Sequence, residues 1–385
     1  QSLCTIEQLG AAKAILLVGN DPTDQNPLVA WQIRTAVRNG GARLYAINSS
    51  RIKLARQARQ FVQAAPGAEP SVIRCLATGL SDLEAEQTVD VMALKSALEK
   101  ESDVVIVFGA EITGARIADL LALGTQLPGH TRYLALGDYS NSRGASDMGL
   151  LPDFLPGYAR AADAAELKRF ARLWGAASLP AQPGLTARQM MGAAASGKLK
   201  ALYVVGANPA KTFATKLDRL KLLVVQEMFH TETTEYAHVV LPAACAYEKS
   251  GTVTNTAGEV QPLRNALETT GTRADFDLLR ILSHQLAQAR LGKAAHIRST
   301  DAAFDEIRAH VRGYNVPAEA LLTGGAELAA PVLARNGHKP YDVPADLIFS
   351  SRDTLFTSGT LGRFCTMIRS VPEAHTAPPG EATTE

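Results

Sequence analysis

Cysteine is scarce in this chain: four residues in 385, at positions 4, 75, 245 and 365, with no C-x-x-C pair among them. So small and scattered a set excludes a disulfide framework, a zinc site of ordinary spacing and an iron–sulfur cluster. Most of these thiols are expected to be small buried apolar groups. An excess of either charge is also lacking, since 39 Lys and Arg face 38 Asp and Glu, for a net charge of +1. That balance leaves no electrostatic footprint for nucleic acid or an anionic membrane surface. Long apolar runs are missing too: residues 104–108 and 202–205 are strand-length, far below the roughly 18 residues of a spanning helix. A soluble chain without direct membrane insertion is therefore expected. The opening Gln1-Ser2-Leu3-Cys4-Thr5-Ile6 has no initiator Met, no basic stretch and no apolar core, so it reads as the cut edge of something longer and not as a secretory signal. Neither G-x-G-x-x-G nor G-K-[ST] occurs, which argues against a standard NAD or ATP site, and H-E-x-x-H and G-x-S-x-G are also absent. His230-Thr231-Glu232 matches half of a zinc-deaminase signature, but no P-C-x-x-C follows to complete the ligand set.

What is present is ordinary globular material, 46% hydrophobic and 20% charged, enough for about two and a half domains at roughly 150 residues each. An apolar strand is expected at 13–18, then the breakers Gly19-Asn20-Asp21-Pro22, a helix over 28–38 and a stop at Gly40-Gly41. A second strand follows at 43–47, with Asn48-Ser49-Ser50 as its end turn although it fits the glycosylation pattern, then helices over 52–64 and 91–100. Asp103 opens a continuous apolar run to Phe108, as in a strand buried on both faces of a parallel sheet. A helix over 114–123 and a strand over 133–136 complete the alternation. Further on, helices are expected at 161–174, 301–312 and 318–322, with strand-like stretches at 346–349 and 364–368.

An internal repeat organises the chain. At an offset of 187 residues, Lys13-Ala14 through Gly19-Asn20-Asp21-Pro22 aligns with Lys200-Ala201 through Gly206-Ala207-Asn208-Pro209, with five identities. Each copy continues through an expected helix (28–38; 211–220) into a second strand (43–47; 222–226), so the repeat is of a βαβ unit. The division is expected at 1–150 for a first α/β lobe, 151–289 for a second, 290–371 for a loose appendage and 372–385 for a disordered tail. Ligands collect at the carboxyl ends of parallel strands, where backbone N–H groups face anions. The loops Gly19 to Pro22 and Gly206 to Pro209 therefore read as two nucleotide half-sites facing each other, although an empty α/β turn is built the same way. Glu227, Glu232 and Glu235 read as a solvated loop in preference to an acid/base cluster, and Met190-Met191 as core.

Several segments in combination resemble the molybdopterin oxidoreductase superfamily, across most of the chain. They are Leu17-Val18-Gly19-Asn20-Asp21-Pro22, Asn141-Ser142-Arg143-Gly144-Ala145-Ser146-Asp147-Met148-Gly149, Leu155-Pro156-Gly157-Tyr158, and Val205-Gly206-Ala207-Asn208-Pro209. Val225-Gln226-Glu227 with Thr231 and Thr233, Ala237-His238-Val239-Val240-Leu241-Pro242, Glu248, and Gly251-Thr252-Val253-Thr254-Asn255 complete the set. The Asn-x-Arg-Gly-Ala-x-Asp-Met-Gly form resembles the complex I branch. The resemblance implies two related doubly wound α/β lobes with parallel sheets. In catalytic relatives each lobe holds one arm of a bis-molybdopterin guanine dinucleotide cofactor. On this chain the matching, vestigial positions are Gly19, Asn20, Asp21, Asn48, Gly109, Gly206, Asn208, Gln226, Glu227, Thr231 and Asn255.

Departures from the pattern weigh against a bound cofactor. Asn48-Ser49 stand where active relatives usually carry an acid, and Thr256-Ala257-Gly258-Glu259 stand where basic residues are usual. A Glu259 carboxylate beside an anionic cofactor costs about 1 kcal/mol when solvated. The resemblance thus implies a structural region of complex I without catalytic residues, metal or cofactor, with iron–sulfur clusters in an upstream segment. Its implied partners are that iron–sulfur domain and other peripheral-arm subunits, on the cytoplasmic side of a bacterial inner membrane. The alternative is a fragment of an active molybdopterin enzyme of formate dehydrogenase type. A third is a nucleotide-binding module with no redox partner.

Overall fold

The computed structural model describes residues 2–328, except 81, 110, 115, 138, 269, 270 and 323, together with Met367. The described chain divides into two compact units, one ending at Tyr139 and one beginning at Ser140.

The first unit is built on β1 (Ser2–Leu3), β2 (Ala14–Val18), β3 (Arg43–Asn48), β4 (Gln60–Gln63), β5 (Asp103–Phe108) and β6 (His130–Ala135). They pair, all parallel, in the order β1-β6-β5-β2-β3-β4. Alternate side chains supply two cores. Leu16, Val18, Ile47 and Ile106 face one side, while Ile15, Leu17, Ala46 and Val107 face the other. The first core is closed by α4 (Glu69–Thr78), α5 (Ala85–Leu98) and α6 (Arg116–Gln126), the second by α1 (Ile6–Gly10) and α3 (Pro27–Gly40). Burial on both faces explains the unbroken apolar runs of β2 and β5. A short helix, α2 (Pro22–Gln25), links β2 to α3.

One expected helix here is corrected. Residues 52–64 form a 3-10 turn at Lys53–Gln57 and then β4. The Arg59 N–H donates to the Leu44 carbonyl at 2.7 Å and Gln60 lies opposite Tyr45, so the open edge of β3 draws this segment into the sheet. Close backbone approach marks the β6 entry: a Cβ on Gly129 would lie 2.0 Å from the Ser102 carbonyl oxygen. Gly129→Ala is accordingly expected to destabilise this unit by about 2 kcal/mol, measured as a lowered urea midpoint.

The second unit contains α7 (Ser142–Asp147), a ribbon of β7 (Phe154–Leu155) and β8 (Ala159–Arg160), then α8 (Ala164–Leu173) and α9 (Ala187–Ala195). A parallel sheet follows from β9 (Ala201–Val205), β10 (Leu222–Glu227) and β11 (Val239–Pro242), in the order β11-β10-β9. Its core holds Met191, Val204, Leu217, Leu223 and Val225. Met191 is thus core, as expected. Between β9 and β10 the expected helix over 211–220 is reduced to α10 (Pro209–Thr212). The connection at 206–221 is shorter than its counterpart at 19–42, and Leu217 and Leu220 reach the core from a turn.

An antiparallel sheet joins β12 (Gly251–Thr254), β13 (Glu259–Leu263) and β14 (Ala326–Glu327). After α11 (Asp275–Gln288), helices α12 (Thr300–His310) and α13 (Ala318–Leu322) bring Phe304, Val311, Tyr314 and Val316 onto Val260 in a further core. Residues 300–328 are therefore an integral layer of this unit and not a loose appendage. The segment 141–149 also belongs here and not to a first lobe ending at 150: the Asn141 Oδ1 accepts from the Thr254 N–H at 2.9 Å. The strand-like stretches at 346–349 and 364–368, apart from Met367, and Cys365 and the tail at 372–385 lie outside the described residues. Cys4, Cys75 and Cys245 are free; the first two are buried, and burial pushes the Cys4 thiol up to about 11.

Candidate functional site: the carboxyl-end loops of each unit

In the first unit the chain runs β2, β3, β4 to one side and then returns to place β5 on the other side of β2. The crevice outside the carboxyl ends of β2 and β5 is thus the topological switch point, where open α/β sheets hold ligands. Gly19, Asn20, Asp21 and Gly109 converge there, with Asn48 at the end of neighbouring β3. Gly19 turns with φ of 74°, which glycine alone adopts at no cost. Its N–H donates to the Ile47 carbonyl at 2.8 Å, and the Asn20 N–H to the Val18 carbonyl at 2.9 Å. The buried Asn20 amide donates to Gln25, while its Oδ1 has no hydrogen-bond partner. Asn48 donates to the Asn20 carbonyl at 3.2 Å and accepts from the Ser50 N–H at 3.0 Å, the expected end turn. Asp21 caps α2 by accepting from the Thr23 N–H, and burial raises its carboxyl above the ordinary range.

Glu111 is a crevice residue that sequence reasoning missed. A Cβ on Gly19 would lie 2.8 Å from the Glu111 Cβ, and one on Gly109 would lie 2.8 Å from the Glu111 Oε2. The Glu111 side chain therefore fills the notch that the two glycines leave open, with its Oε2 buried. No local pattern marks this role, because it depends on β5 lying beside β2.

In the second unit the repeat is visible in the hydrogen bonds themselves. Gly206 turns with φ of 59°, and its N–H donates to the Gln226 carbonyl at 2.9 Å, as Gly19 does to Ile47. Pro209, like Pro22, opens a helix. Asn208 is held by its own loop neighbours: its Oδ1 accepts from the Thr233 N–H and hydroxyl, and its Nδ2 donates to Glu232 at 2.5 Å. That last bond holds the Glu232 carboxyl below its ordinary range. Buried Gln226 accepts from the Tyr203 hydroxyl and donates to Asp275. Buried Glu227 accepts from the Met228 N–H through Oε1 and has no hydrogen-bond partner at Oε2. Thr231 and Thr234 bond each other reciprocally. Asn255 does not join this group. It sits in the turn between β12 and β13, where its amide donates to Glu259 at 2.7 Å.

The sequence model of the family described as molybdopterin oxidoreductase matches residues 1–285. The chain belongs to the molybdopterin oxidoreductase family. It is 30% identical over 295 residues to an NADH-quinone oxidoreductase G subunit of Rhizobium meliloti, covering 68% of this chain and 34% of that one. It is 29% identical over 357 residues to the F420-dependent formate dehydrogenase subunit alpha of Methanocaldococcus jannaschii, covering 79% and 51%. The chain thus spans about a third to a half of the length of these relatives. Among solved structures, acetylene hydratase from Pelobacter acetylenicus aligns with 76% of this chain and 49% of its own at a TM-score of 0.50 and 13% identity, a likeness of fold.

Family membership raises the question whether these loops suit the phosphate groups of a molybdopterin dinucleotide. In the first unit the notch is filled by an acidic side chain and the Gly19 and Asn20 N–H groups are committed to carbonyls. In the second, Asn208 and Thr233 satisfy each other, and Glu227 and Glu232 add carboxylates to the same strand ends. Among the described residues no group of three or more His, Cys, Asp or Glu is placed to hold a metal, and no helix is long and apolar enough to cross a membrane.

Proposed function

We propose that this chain is a non-catalytic, cofactor-free region of a large oxidoreductase component of the complex I type. The observation that carries the reading is the Glu111 carboxylate in the switch-point crevice, over Gly19 and Gly109. The Glu111 side chain takes up the space that Gly19 and Gly109 leave open at the switch point, where the backbone would otherwise be able to approach a phosphate. The internally satisfied Asn208, Thr233 and Glu232 loop supports the same reading for the second unit. On this view NADH oxidation and electron relay to quinone take place elsewhere in the assembly. The two α/β units supply packing and contact surface to an iron–sulfur domain and to other peripheral-arm subunits, at the cytoplasmic face of a bacterial inner membrane. The 30% identity to an NADH-quinone oxidoreductase component supports the placement.

The likeness to a formate dehydrogenase favours one rival, an active molybdopterin guanine dinucleotide enzyme. The two are separated by metal analysis and oxidised-pterin fluorescence on the full-length protein made in molybdate-replete cells. Neither molybdenum nor pterin is expected above trace level; stoichiometric amounts of both would overturn the proposal in favour of the rival.

A further inference from the structure

One side of α3 seals a core of the first unit through Val29, Ala30, Ile33 and Ala36. On its other side Leu28, Trp31, Thr35 and Arg38 succeed one another at spacings of three and four residues, which places them in one stripe along the helix. Leu28 is 69% exposed in that stripe and Trp31 59%. We propose that the outer stripe of α3 docks an acidic amphipathic helix of a partner subunit. The inference rests on the reading of this chain as a contact-supplying region of a larger oxidoreductase, and is independent of whether the chain holds a cofactor.

The first unit does not use Trp31 in its own packing. Its sheet is already covered on both faces, by cores in which Trp31 and Leu28 take no part. The other tryptophan of the chain, Trp174, packs on the Phe170 ring with centroids 5.0 Å apart. Trp31 has no such ring or cation neighbour among the described residues. An indole carries more apolar area than most side chains, so leaving it beside an exposed leucine forgoes a large burial gain that a covering surface would recover. Tryptophan and arginine are the residues enriched at the energetic centres of interfaces, and this stripe presents both.

Charge selects the partner. Helix α3 carries Arg34 and Arg38 and no acidic residue. Arg38 is exposed and makes no side-chain hydrogen bond or ion pair among the described residues, and Arg34 reaches only the Thr23 hydroxyl, at 3.4 Å. The carboxylates of the preceding helix are engaged: Asp21 accepts from the Thr23 N–H, and Asp24 pairs with Lys53 at 3.4 Å. On and after α1, the charges of Glu7 and Lys13 offset each other. The second half of the stripe is therefore basic and calls for carboxylates opposite it. Two cations are too few to hold nucleic acid or an anionic membrane surface. The stripe runs about 15 Å along the helix, which suits about three turns of a partner helix whose apolar residues meet Leu28 and Trp31.

The test uses the full-length protein in its isolated assembly. The photoreactive residue p-benzoylphenylalanine is introduced at position 31, the assembly is irradiated, and crosslinked peptides are mapped by mass spectrometry. The expected product joins position 31 to one helical segment of a different subunit, with carboxylates on the crosslinked turns. In the same background Arg38→Glu is expected to lower the crosslink yield at least about tenfold, while Arg38→Lys keeps it. Urea midpoints of the full-length variants are expected to match wild type, because neither residue enters a core. Crosslinks confined to the protein's own polypeptide or to a second copy of it, a partner segment without acidic residues, no crosslink in an intact assembly, or an unchanged yield in Arg38→Glu would each overturn the proposal. A full-length protein that copurifies with no other subunit would overturn the underlying reading as well.

Discussion

Replacing Asp147 by alanine is expected to destabilise the second unit by about 3–5 kcal/mol. Asp147 is buried and receives hydroxyl donors from Tyr158 and Tyr314 beside the Arg143 guanidinium. Tyr314 belongs to the core that joins α12 to β13, and its hydroxyl also meets Thr254 at the end of β12. Removing the carboxylate takes an acceptor from both hydroxyls, leaving Tyr314 with Thr254 alone, and leaves Arg143, whose side chain is only 20% exposed, without its matched charge. Asp147→Asn keeps an acceptor for one hydroxyl and loses the charge, so its cost is expected to fall between those of wild type and alanine. Urea unfolding followed by far-ultraviolet circular dichroism measures both. A midpoint for the alanine variant equal to wild type would show that the network contributes nothing to folding.

Loss of the Glu101 charge is expected to cost the first unit about 3 kcal/mol near neutral pH. The Glu101 side chain is 3% exposed, and it accepts from the Arg43 guanidinium at two atoms and from the Tyr45 hydroxyl at 2.7 Å. These partners tie the entry of β3 to the turn before β5. Burial by itself raises the Glu101 carboxyl, but the Arg43 and Tyr45 hydrogen bonds outweigh it and hold the group below the ordinary carboxylate range. A depressed folded-state value means that the unfolded chain binds the proton more readily. The contribution is therefore fully present above the ordinary carboxylate range and fades as pH falls through the lower folded value, from about pH 5 downward. Arg43 is 41% exposed, so solvent screening keeps the figure at the low end for a buried pair. Glu101→Gln is expected to lower the urea midpoint at pH 7 and to flatten the acid limb of stability against pH. An acid limb identical to that of wild type would remove Glu101 from the account.

The division between local and tertiary information runs through particular residues. The apolar runs of β2, β5 and β10 were legible because strands buried on both faces, or in a core, must be apolar along their length. The repeat was legible for a related reason: the Gly19 and Gly206 turns each need a residue free to take positive φ, and each makes the same bond to the next strand. The β4 segment reads as helix because the Arg, Gln and Ala residues around Phe61 and Val62 favour helix, whereas the free edge of β3 decides its conformation. The short link after β9 reads as a helix because Phe213, Leu217 and Leu220 recur at helical spacing, although the connection is brief.

The sequence by itself determined the doubly wound α/β character, the two glycine turns at strand ends, the family, and the lack of a cysteine set able to hold a cluster. Only the tertiary structure decided what occupies those strand ends. Glu111 reaches Gly19 because the sheet order sets β5 beside β2, and Tyr314 reaches Asp147 across 167 residues of chain because α12 folds back onto β13. Strand and turn propensities act over a few residues, whereas the filling of a crevice depends on which distant elements the packing of the cores brings together.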